Sequence, residues 1–90
     1  MLTVYTKDFC PFCDMAKRQL KQMNISYEEI NINKDEKARE FLIAEGHRSM
    51  PQIYHNGKLF VEGGAQGLAK MAEDTIRVRI GGVDLDDFQL

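Results

Sequence analysis

Short apolar runs alternate with amphipathic stretches along this chain, and their order predicts a mixed sheet covered by helices. Leu2 to Thr6 is apolar and β-branched, which reads as a central strand. From Pro11 to about Met23, Met15, Ala16, Leu20 and Met23 recur at near-helical spacing, and Asn24 serves as the stop. Asp14 stands near the start of that helix, with Lys17, Arg18 and Lys21 further on, as the helix dipole prefers. Tyr27 to Ile32 forms a second strand, parallel to the first because a helix joins them through a right-handed crossover. Asn33 begins a polar turn, and a second helix runs from about Asp35 to Glu45, with Ala38, Phe41 and Leu42 on one face and Gly46 as its stop. Gln52 to His55 and Lys58 to Val61 flank Asn56-Gly57, a strong signal for an antiparallel hairpin. Gly63, Gly64 and Gly67 introduce a third helix, in which Leu68, Ala69, Met71 and Ala72 are available for packing. Thr75 to Ile80 alternates apolar and charged residues, so Ile76, Val78 and Ile80 fit a strand as well as a helix. No internal repeat or low-complexity segment appears.

Ninety residues hold one core, which we bound at residues 1–80, followed by a flexible acidic tail over 81–90. A net charge of −2 argues against a nucleic-acid partner. The lysines and arginine after Asp14 read as a solvated helix face. No apolar run approaches 18 residues and the first 15 carry no leader pattern, so no membrane association is expected and the location implied is cytoplasmic. A monomer is expected.

The chemistry concentrates in Cys10-Pro11-Phe12-Cys13, which holds both cysteines of the protein. A zinc site would need four ligands, and only His47 and His55 remain, at no recognisable spacing, so no metal is expected. A structural disulfide across two intervening residues closes too small a loop to stabilise much, which favours redox work. Pro11 suits the first helical position and puts Cys10 at the helix N-terminus, where unpaired N–H groups favour a thiolate. Lys7 adds positive charge from the preceding loop. A stabilised thiolate is a good leaving group, so mixed disulfides on Cys10 exchange quickly, with Cys13 as the resolving thiol.

The order β, α, β, α, β, β, α with a redox Cys-x-x-Cys after the first strand resembles the thioredoxin fold, and more narrowly the glutaredoxin family. The resemblance covers residues 1 to about 72. It rests on Lys7 before Cys10, the Cys10-Pro11-Phe12-Cys13 motif, the Arg48-Ser49-Met50-Pro51-Gln52-Ile53 run, and Gly63-Gly64. It implies an α/β fold with a four-stranded mixed sheet and about three helices. It also implies a cis Pro51 facing the cysteines, with the N–H and C=O of Met50 turned outward to pair with a bound peptide. Glutathione, as reductant, would lie in a groove between this segment and the glycine turn, beside Pro11, Phe12 and Gly64. Lys7 and Arg48 would face its glycine carboxylate, and the N–H groups of Ala65 and Gln66 its γ-glutamyl carboxylate. Two departures stand out. Phe12 replaces the usual tyrosine, and Ala65-Gln66-Gly67 lacks the acidic residue that commonly holds the glutathione amino group.

The activity implied is glutathione-dependent reduction of protein disulfides and glutathione mixed disulfides. A glutaredoxin-like protein reduced by thioredoxin reductase is one alternative, and an iron-sulfur carrier using Cys10 is another. The tail, Val83 to Leu90, sets Leu85, Phe88 and Leu90 among Asp84, Asp86 and Asp87. It is similar to the C-terminal peptide of class I ribonucleotide reductase small subunits, which docks on the large subunit. The resemblance implies that residues 83–90 bring this protein to that large subunit as a disulfide substrate, and so to deoxyribonucleotide synthesis.

Overall fold

The strand over Leu2–Thr6 (β1) is where the rest of the sheet assembles. In the computed structural model, which describes residues 1–81, β1 pairs in parallel with β2 (Tyr27–Asn31) and antiparallel with β3 (Gln52–His55). β3 turns back into β4 (Lys58–Val61), giving the sheet order β2-β1-β3-β4. At the hairpin turn both Asn56 and Gly57 have positive φ (53° and 80°), the backbone that a two-residue primed turn needs. Four helices pack around the sheet: α1 (Pro11–Gln22), α2 (Glu36–Ala44), α3 (Gly64–Ala69) and α4 (Glu73–Gly81). This is the thioredoxin-like α/β arrangement that the resemblance implies, with one helix more than expected.

Strand alternation divides the apolar side chains between two faces. Leu2, Val4 and Ile53 point to one side and join Ala16 and Leu20 of α1, Ala65 and Leu68 of α3, and Ile76 of α4 in the main core. Cys13, Ala16 and Leu20 are the buried positions of α1, whereas Met15, expected in the core, lies on the outer side of the helix. In α3 only Leu68 of the four expected packing residues is fully buried, with Met71 half-buried just beyond. Tyr5 and Tyr54 point to the other face and meet Phe41 of α2, with ring centroids 5.4–6.1 Å apart. Leu42 is buried, as the predicted face of α2 requires. The Tyr54 hydroxyl donates to Glu45 Oε1 at 3.1 Å and accepts from His47 Nε2 at 2.7 Å. Burial and the Glu45 bond push its pKa up to about 12, so the hydroxyl keeps its proton, and the knot ties the end of α2 to β3.

Residues 73–81 resolve the strand-or-helix ambiguity in favour of helix. Glu73 and Asp74 in the first turn and Arg79 in the last complement its dipole. Ile76 and Ile80, four residues apart, face the core. Arg79 fastens the helix to β4, donating to the Phe60 carbonyl at 2.7 Å and placing its guanidinium carbon 4.3 Å from the Phe60 ring centroid. Arg77 bonds Glu73 at 3.0 Å and the Met23 carbonyl at the end of α1. The helix includes Gly81, so the expected boundary at 80 falls inside it, and the rest of the expected tail lies outside the described residues. Among the described residues no helix is long and apolar enough to cross a membrane.

A strand would place Ile76, Val78 and Ile80 on one face, whereas the helix buries Ile76 fully and Val78 only in part. Ile76→Ala is therefore expected to cost about 2–5 kcal/mol in urea denaturation, and Val78→Ala about 1 kcal/mol or less. Equal losses would contradict the helical assignment.

Candidate active site

The site begins where β1 ends. The buried Thr6 hydroxyl donates to Glu29 Oε2 at 2.8 Å, and Lys17 of α1 reaches the same oxygen at 3.1 Å and Asp14 at 3.6 Å. Lys17 is thus an anchor between α1 and β2, not the freely solvated side chain expected from its helix face. Partial burial works against the Glu29 carboxylate, but the bonds from Thr6 and Lys17 outweigh it and hold its pKa below the usual value.

Past Thr6, Asn31 and Asn33 clamp the loop. The Asp8 N–H donates to Asn33 Oδ1 at 2.7 Å, and Asn31 Nδ2 donates to Asp8 Oδ1 at 2.9 Å. Asn33 is expected from the sequence only to begin a turn, and its clamp with Asn31 on Asp8 is not foreseen there, although side-chain amides and carboxylates near turns are the signal for such local bonds. Phe9 follows with φ of 54° and a wholly exposed side chain. The left-handed region costs a residue with a Cβ about 1–2 kcal/mol.

Cys10 then caps α1. Its backbone is extended (φ −125°, ψ 96°), Pro11 occupies the first helical turn, and Cys10 Sγ accepts from the Cys13 N–H at 3.2 Å. The two cysteines are joined as a disulfide. Cys10 is 8% exposed and Cys13 2%, so Cys10 is the more accessible residue of the pair. Cys10 Sγ also lies 3.6 Å from the Met50 carbonyl oxygen, to which a reduced thiol can donate.

The facing wall follows from the sheet register. Tyr5 pairs with Gln52, so the residues just before β3 must lie beside those just after β1. The Met50–Pro51 bond is cis, and the Gln52 side chain donates to the Ser49 carbonyl at 2.8 Å, holding this segment in place. Gly64 completes the wall. Its φ is 56°, and a Cβ there would sit 2.7 Å from the Pro51 carbonyl oxygen, so only glycine fits. A groove of about 320 Å³ results, lined by Phe12, Met50, Pro51, Gly64, Ala65 and Gln66 among others.

Of the residues singled out from sequence, these six come together around the groove. Lys7, Pro11 and Arg48 are exposed and do not line it, and the buried Cys10 and Cys13 lie beside it and not in its lining. The Gln66 N–H is committed to the Gly63 carbonyl at 3.1 Å, which removes one of the two backbone donors expected for a carboxylate. Ser49, Gln52 and Gly63 also line the groove, beside the predicted residues.

A family model for glutaredoxin matches residues 2–60. A glutaredoxin-like protein NrdH of Lactococcus lactis is 36% identical over 72 residues, covering 80% of this chain and 100% of that one. A glutaredoxin of Neisseria meningitidis serogroup A is 38% identical over 79 residues, covering 74% of this chain and 93% of its own. Among solved structures, NrdH-redoxin from Escherichia coli, described as having a thioredoxin-like activity profile, superposes with a TM-score of 0.61 at 25% identity, over 84% of this chain and 90% of that one. A buckwheat glutaredoxin–glutathione complex shares the fold, with a TM-score of 0.68 at 23% identity over 88% and 74% of the two chains.

Proposed function

The chain belongs to the glutaredoxin family, and from that membership we propose that it uses electrons from glutathione to reduce protein disulfides and glutathione mixed disulfides in the cytoplasm. The observation that carries the reading is the placement of one sulfur. Cys10 Sγ caps α1, belongs to the more exposed of the two cysteines, and stands 3.6 Å from the carbonyl of Met50, a residue that lines the groove.

In the reduced protein the Cys10 thiolate attacks a substrate sulfur, and the substrate disulfide breaks to release one thiolate, which takes a proton from solvent. Cys13 then attacks Cys10 Sγ, forming the internal disulfide and freeing the second substrate thiol. The cap favours the reduced pair: the Cys13 N–H makes a charge-assisted bond to a thiolate and a weaker one to a disulfide sulfur. The stabilised Cys10 thiolate is the leaving group in the last step, when a mixed disulfide on Cys10 is attacked at its other sulfur. One glutathione attacks Cys10 and displaces Cys13, and a second removes the first as glutathione disulfide. Seated in the groove, glutathione would contact Phe12, Met50, Pro51, Gly64 and Ala65.

A second reading, a glutaredoxin-like protein reduced by thioredoxin reductase, draws support from two observations. Ala65-Gln66-Gly67 offers no charge to the glutathione amino group, and the Gln66 N–H is already bonded. The similarity to NrdH of Lactococcus lactis over that protein's full length points the same way.

Residues 83–90 lie outside the described part of the structure. Their three apolar anchors spaced by aspartates suit a groove-binding peptide that orders on docking. Together with the likeness to ribonucleotide reductase small subunits, they support docking on the large subunit as a disulfide substrate.

Two experiments separate these roles. Cys13→Ser is expected to keep removal of glutathione from a glutathionylated thiol while losing reduction of protein disulfides, in steady-state assays of both. Loss of both activities would refute the division of labour. Deleting residues 83–90 is expected to weaken binding to the reductase large subunit in calorimetry and to leave glutathione–disulfide exchange unchanged; equal binding by both forms would remove the docking role.

A further inference from the structure

We propose that Phe9 determines which class of disulfide this protein reduces: it is a contact platform for polypeptide disulfides, and disulfides small enough to sit in the groove do not use it. The inference rests on the thiol–disulfide reading above and adds a specificity residue to it.

Folding gives no reason for phenylalanine at this position. The side chain is 100% exposed, so its apolar surface is buried against nothing in the described structure. The backbone is left-handed, with φ of 54°, where asparagine or glycine is at home and a bulky aromatic is an outlier. The clamp from Asn31 and Asn33 onto Asp8 holds the loop in this shape. Two unfavourable features therefore coincide on one residue, the kind of local cost that points from an observed outlier to function.

Position supplies the function. Phe9 directly precedes Cys10, with Cα atoms about 3.8 Å apart. The groove takes Phe12, which is 48% exposed, as its aromatic wall, and Phe9 is not among its lining residues. A ligand of tripeptide size seated there meets Phe12 and stops. A polypeptide has chain on both sides of its reacting cysteine, so with one arm in the groove the other has the exposed surface beside Cys10 to lie on, and Phe9 is the large apolar side chain next to Cys10 outside the groove. Exposed aromatic side chains are the residues that interfaces use as anchors. The substrate that fits is a protein disulfide whose cysteine has a bulky apolar neighbour. The exchange itself is unchanged: the two electrons of the Cys10–Cys13 dithiol pass to the substrate disulfide, leaving a substrate dithiol and the internal disulfide.

The test uses prereduced protein in single turnover, so that no external reductant enters, against insulin and against hydroxyethyl disulfide. Phe9→Asn removes the ring and keeps the left-handed backbone; Phe9→Tyr keeps the ring. Phe9→Asn is expected to slow insulin reduction about tenfold, equivalent to about 1.4 kcal/mol, with the small-disulfide rate unchanged and the unfolding temperature equal or higher. Phe9→Tyr is expected to retain the wild-type rate on both. Equal insulin rates for wild type and Phe9→Asn would overturn the assignment, and so would a parallel fall on both substrates, since Phe9 would then act through Cys10. Absence of any wild-type rate would overturn the redox reading and the assignment with it.

Discussion

The bond from the Cys13 N–H to Cys10 Sγ is the interaction on which the site depends. One sulfur is both the cap of α1 and a member of the cysteine pair. A serine or aspartate would cap the helix as well or better, but neither could exchange disulfides. A helix N-terminus favours negative charge, and that is the position this sulfur occupies. The helix start and the chemistry cannot be changed independently.

The rest of the fold brings partners to that sulfur. β1 delivers Cys10, the start of β3 delivers Met50 and Pro51, and the start of α3 delivers Gly64. The antiparallel pairing of Tyr5 with Gln52 puts the first two side by side at one end of the sheet. Gly64 closes against Pro51 so tightly that no side chain fits between them. The aromatic knot of Tyr5, Phe41 and Tyr54 on the opposite face ties α2 to β1 and β3, and through Glu45 and His47 it anchors the segment that leads to Met50.

Much of this was legible in the sequence because it is encoded locally. The hairpin is announced by Asn56-Gly57, the start of α1 by Pro11 after Cys10, and the redox pair by its own spacing. What was left open, missed or misread has a common cause in features that only tertiary structure decides. Ile76, Val78 and Ile80 recur with period two, but Arg77 and Arg79 bind Met23 and Phe60 as a helix and not as a strand. Lys17 looks solvated until Glu29 arrives from another strand. Met15 satisfies the helical count, yet the face that meets the sheet is set by Cys13, Ala16 and Leu20. The commitment of the Gln66 N–H to Gly63 and the left-handed backbone of Phe9 follow from turn geometry that residue types alone do not specify.

The central claim is that Cys10 passes electrons from glutathione. It is tested most directly by following NADPH oxidation during reduction of a small mixed disulfide with glutathione and glutathione reductase, comparing wild type with Cys10→Ser. The account predicts turnover that depends on Cys10. No turnover with glutathione, alongside steady NADPH oxidation when thioredoxin reductase is supplied instead, would contradict it.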